Sequence, residues 1–107
     1  MGLITLEVSV HGLPITPTML WSGTPLFNVD DGLRLVDYCK NNDIAVLGID
    51  GFKIKGGKRI PDIDCIVDFS ASLNETNFAV KSIEASRTVI EGISGDGIFM
   101  EFVLVRV

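Results

Sequence analysis

The chain opens on a period of two. Across residues 3–10, Ile4, Leu6, Val8 and Val10 alternate with Thr5, Glu7 and Ser9, which predicts a strand with one buried face. "HGLPITPTMLWSGTPLFN" follows with three prolines and two glycines, so it reads as loop with at most a short extended piece. That loop is apolar, and Met19, Leu20, Trp21, Leu26 and Phe27 must either pack over the core or form a contact surface. The period then changes. From about Asp30 to Asn41, Leu33, Leu35, Val36 and Cys39 fall within one helical arc, with Asp30, Arg34, Asp37 and Asn41 opposite. Asp30 and Asp31 suit the positive end of that helix and Lys40 the negative end. Asp30 and Arg34 are spaced as an i,i+4 ion pair worth a few tenths of a kcal/mol.

"IAVLGIDGFKIKGGKRIPDIDCIVDF" reads as a hairpin whose turn is Gly56-Gly57, since a primed turn needs positive φ at both central residues. Gly48 and Gly51 weaken its first strand and mark a bulge or bend. Pro61 lacks a donor, so the return strand lies at a sheet edge there or begins afresh beyond it. "SLNE" at Ser72–Glu75 has capping-box spacing before a second helix, about Asn74 to Glu91. Phe78, Ile83, Val89 and Ile90 line one side of it, with small Ala79, Ser82 and Ser86 among them. Lys81, Glu84, Arg87 and Glu91 form a charged ladder on the other. "GIFMEFVLVRV" is apolar on both faces and belongs in the middle of a sheet. The β-α-β-β-α-β order predicts a single α+β domain, residues 1–107, with a mostly antiparallel sheet and two helices packed against it.

Length agrees, because 107 residues support one core burying roughly two-thirds of the unfolded surface. Hydrophobic residues make up 47% of the chain. No apolar run approaches the ~20 residues of a membrane-spanning helix, so no membrane is expected as a partner. The N-terminus lacks the features of a secretory signal, and a cytoplasmic location is expected. Cys39 and Cys65, far apart and without metal-ligand spacing, read as two buried, reduced thiols. The net charge of −5 repels nucleic acid and favours encounter with a basic partner.

Candidate chemistry concentrates around the hairpin, where four of nine cations fall between Lys53 and Arg59. A phosphate cradle fails there, because Gly57 stands where a P-loop needs lysine and the segment is a hairpin rather than a strand entering a helix. "GDG" at residues 95–97 leads from helix to strand, the wrong direction for a dinucleotide fingerprint. Asp62, Asp64 and Asp68 would share one face of a single regular strand, and three carboxylates could hold a divalent cation. Pro61 and the lack of a completing ligand argue instead for a solvated acidic face, and no metal or cofactor is expected. His11, the only histidine, sits beside Gly12 and Pro14 and reads as a turn residue rather than a catalytic base. No enzymatic activity is expected. Trp21 and Phe52 read as plugs over the core or as anchors for a partner.

"LRLVDYCKNNDIAVLGIDGFKIKGGKRIPDID", Leu33 to Asp64, resembles small bacterial immunity proteins, those encoded beside polymorphic or contact-dependent growth-inhibition toxins. Its most specific element is Val46-Leu47-Gly48-Ile49-Asp50. The resemblance implies a non-enzymatic cytosolic protein that binds the C-terminal domain of its cognate toxin and occludes the active site. Such toxins are frequently nucleases with basic clefts, where an acidic inhibitor sets carboxylates in place of phosphates. On that reading Asp50, Asp62, Asp64 and Asp68 meet the toxin, with Trp21 or Phe52 as apolar anchors. Lys53, Lys55 and Lys58 contact acidic patches and fix register. Charge reversal at Asp62 and Asp64 is expected to weaken the complex. The alternative is a regulatory module holding a small ligand between helices and sheet.

Overall fold

A computed structural model of the protein describes residues 6–94 and 96–106, with the side chain of Leu6 left out. Strand β1 (Leu6–Val8) is followed by a 3-10 turn, the hairpin β2 (Met19–Trp21) and β3 (Thr24–Leu26), and helix α1 (Val29–Asn41). Strands β4 (Ala45–Lys55) and β5 (Lys58–Asp68), helix α2 (Phe78–Glu91) and strand β6 (Phe99–Arg106) complete the order. The four-stranded sheet runs β1-β6-β4-β5 with every neighbour antiparallel, and β2–β3 is a separate two-stranded ribbon. The α+β architecture with two packed helices is therefore as the periodicities predict, and β6 occupies the interior. The predicted first strand narrows to β1, and its residues 3–5 lie outside the described ones.

One face of the sheet carries the helices. Met100, Phe102 and Leu104 of β6 and Val46 and Ile49 of β4 meet Leu35, Val36 and Cys39 of α1 and Ile83 and Ile90 of α2. Phe27, fully buried, sets its ring edge-on to Phe102 at 5.6 Å, and its backbone exchanges hydrogen bonds with Met100. That bridge brings the β2–β3 ribbon against the sheet. The ribbon turns through Ser22 and Gly23, both at positive φ (51° and 82°), as a primed turn requires. Three prolines hid this hairpin in the sequence.

Helix α1 starts where Asn28 caps it, its side-chain oxygen accepting from the Asp31 N–H at 2.8 Å. Asn28→Ala is expected to cost about 1 kcal/mol in chemical denaturation, and Asn28→Asp much less. Arg34 pairs with Asp31, one turn position away from the expected Asp30. The capping box is also corrected. Ser72 lies in a 3-10 turn, and α2 begins only at Phe78, behind Asn77 in the left-handed region at φ 62°. The delay follows from packing, since Leu73 and Phe78 both tuck against Ala45 and Val105. No helix among the described residues is long and apolar enough to cross a membrane.

Candidate docking face of the sheet

The site is built by β4. Its two interior glycines sit at register shifts, as expected of them. Between Asp50 and Phe52 the partner strand advances from Ile66 to Pro61, so β5 places residues 62–65 opposite Gly51 alone. This excursion crosses the strand closely enough that a Cβ on Gly51 would lie 2.3 Å from the Cβ of Cys65. On either side of it the alternation holds. Asp50 stands beside Ile66 of β5 and Glu101 of β6 on the face away from the helices.

That outer face is covered at both ends and open between. At one end the ribbon is held by Trp21, whose ring lies 6.0 Å from that of Phe52. The Arg59 guanidinium sits 4.3 Å from the Phe52 ring and 5.1 Å from the Trp21 ring, a cation between two π faces. Arg59 also donates to Glu101 at 2.9 Å and approaches Asp50 at 3.8 Å. At the other end Phe69, Leu73 and Phe78 cover Ala45, Leu47 and Val105. A trench of about 390 Å³ remains, lined by Leu47, Asp50, Ile66, Asp68, Glu101 and Val103. Ile66 and Val103 are 43% and 39% exposed. Along the register Ile66, Asp50 and Glu101 form one cross-strand row and Asp68, Gly48 and Val103 the next, so half-exposed apolar side chains alternate with carboxylates across the open face.

Asp68 accepts from the Ser70 N–H at 2.9 Å. The Ser70 hydroxyl, and then this backbone bond, hold its carboxyl below the usual range, so the trench keeps that charge as pH falls.

Two of the four expected aspartates, Asp50 and Asp68, meet in the trench. Asp62 and Asp64 do not, which corrects the expectation of one shared face. The excursion breaks the parity of β5, and both turn toward the C-terminal end of α2 near Thr88, Gly92 and Ile93. Asp62 there accepts from the Asp64 N–H at 3.1 Å. Among the described residues no three His, Cys, Asp or Glu are grouped to hold a metal. Phe52 is 1% exposed and Trp21 half-buried, so both hold the ribbon to the sheet, and Phe52 has no surface left for a partner. Lys53 and Lys55 are exposed beyond the end of β6, with Lys58 opposite Lys55.

Glu101, Ile66 and Val103 were missed as site residues. Glu101 was the available signal, the one charge in the interior of a strand whose only other charged residue is its last, Arg106. Both cysteines are buried and free. Burial pushes the Cys39 thiol up to about 12 against the influence of Arg106, and burial followed by Asp62 and Asp64 raises Cys65, so neither is a reactive thiolate. His11 is exposed on its 3-10 turn. A second cavity, about 330 Å³, opens between the helices over Cys39, Ile44, Ala79 and Ile83, with Val80 57% exposed at its mouth.

Comparison with known proteins finds no family model that matches the chain, and no significant match among curated proteins or solved structures.

Proposed function

We propose that this protein is an immunity protein, acting in the cytosol by docking the trench face of its sheet onto the basic active-site cleft of a cognate toxin domain. The observation that carries this is the open sheet face on which half-exposed Ile66 and Val103 alternate with Asp50, Asp68 and Glu101. A nuclease cleft gathers lysines and arginines to hold phosphates, and a preorganised ring of carboxylates takes their place at little ordering cost. The stretch from Leu33 to Asp64, which carries the resemblance to immunity proteins, supplies most of α1, all of β4 and the first part of β5, and of the trench lining it contributes Leu47 to Asp50. The inhibitor needs no chemistry of its own.

The test is direct. The protein should co-elute with the C-terminal domain of a toxin encoded immediately upstream and abolish its activity at equimolar ratio. Association should slow steeply as ionic strength rises while dissociation changes little. An association rate flat across salt, or no protection of cells by the protein, removes the reading. The cavity between α1 and α2 favours one other, a small-ligand module, which a metabolite panel would reveal by raising the melting temperature.

A further inference from the structure

The hairpin of β4 and β5 outruns the sheet. Pairing with β6 ends at Phe52 opposite Phe99, and beyond it residues 53–55 and 58–60 pair only with one another. This arm, roughly 10 Å long at ~3.3 Å per residue, turns through Gly56 and Gly57 at φ 57° and 74°. Its two faces differ. Ile54 and Arg59 lie opposite each other on the face where Arg59 stacks with Trp21 and Phe52. Lys53, Lys55, Lys58 and Ile60 occupy the other, with Lys55 directly across from Lys58 and Lys53 across from Ile60.

Like charges directly opposite on a strand pair are destabilising. Among the described residues none of the three lysines has an ion pair, and Ile60 is left 44% exposed among them. The arm therefore presents three unneutralised cations around one apolar side chain. The trench presents three carboxylates alternating with Ile66 and Val103; the single cation Arg59 is shared between Glu101 and Asp50, and Asp68 has no ion pair among the described residues. The surfaces complement each other in charge and in apolar content. They cannot meet within one molecule, because Asp50 and Lys53 lie three residues apart on the same extended strand.

We infer that the lysine arm of one copy docks in the acidic trench of a second copy. The inference rests on the reading of the trench as a docking face, and supplies that face with an occupant other than the toxin. Because arm and trench are different surfaces, the contact is heterologous, and a dimer closes only when both arms are exchanged. Each copy carries −5 overall, but at physiological salt the Debye length is about 8 Å, so the net repulsion is screened while paired groups in contact are not. Self-association and capture of a basic partner then exclude one another.

Sedimentation velocity from micromolar to millimolar protein tests this. The wild type should shift from monomer toward dimer, and the dimer should be lost at high salt. Lys53→Glu/Lys55→Glu/Lys58→Glu, which spoils the arm, and Asp50→Lys/Asp68→Lys, which spoils the trench, should each stay monomeric. Their equimolar mixture should associate, since the first keeps a trench and the second an arm. A wild type monomeric throughout, an arm variant that dimerises like the parent, or a mixture that stays monomeric overturns the proposal. An oligolysine peptide separates this from the trench reading. If it binds the arm variant in an Asp50- and Asp68-dependent manner while the wild type remains monomeric, the trench stands as a docking face and self-association falls. If neither occurs, both fall.

Discussion

Gly51→Ala is expected to cost about 3 kcal/mol, the upper end of the range for overpacking a well-filled site. The new Cβ would lie 2.3 Å from the Cys65 Cβ and 2.9 Å from the Cys65 carbonyl oxygen. Neither atom is the loose end of a side chain. Relief requires moving the backbone of the excursion, which withdraws buried Cys65 and strips β5 from β4. Gly32→Ala provides the control. Its Cβ would press at 2.8 Å on the terminal methyl of Met100, which can swing aside, and alanine gains up to ~1 kcal/mol of helix propensity. Urea denaturation of the two variants compares them directly. Equal losses would mean that the close crossing at Cys65 does not govern the hairpin. In a double-mutant cycle Cys65→Gly should cost less in the Gly51→Ala background than in the parent, because it removes the Cβ contact and leaves the carbonyl one.

Reversing charge in the trench should have the largest effect on binding. On the proposed immunity function, Asp50→Lys/Asp68→Lys is expected to weaken the complex with the toxin domain roughly 100-fold, about 2.8 kcal/mol, mainly through slower association at low salt. The same reversal at Asp62 and Asp64 should cost less than about tenfold, because those carboxylates face the end of α2 rather than the trench. Circular dichroism should stay that of the parent, with a modest fall in melting temperature for Asp50→Lys/Asp68→Lys from the lost Asp50–Arg59 and Asp68–Ser70 contacts. Surface plasmon resonance at two ionic strengths reads both quantities. If the Asp62/Asp64 variant suffers the greater loss, the contact surface is the excursion and not the open sheet face.

Local rules made much of this architecture legible. Gly56-Gly57 announces a primed turn because only the local backbone decides it, and both residues adopt positive φ. The acid-first, lysine-last arc of α1 and the two-faced apolar run of β6 are likewise written in consecutive residues. Pro61 does sit on an edge strand. What escaped was non-local. The advance of β5 past Gly51 depends on what lies across the hairpin, and it decides which aspartates share a face. The meeting of Asp50 with Glu101 is a register between strands fifty residues apart. Ser22-Gly23 is a turn chemically like Gly56-Gly57, but Pro17 and Pro25 masked the short strands beside it. The late start of α2 reflects the burial of Leu73 and Phe78, which a capping motif does not report.

The placement of β6 bears on how the molecule comes into being. Residues 99–106, last in sequence among the sheet's strands, lie between β1 and β4 and join the N-terminal strand to the rest of the sheet. During synthesis the earlier strands and both helices therefore emerge with their shared apolar surface unsealed, and the closing step is a long-range one. The β4–β5 hairpin can pair early, but the sheet closes only once β6 has threaded between β1 and β4.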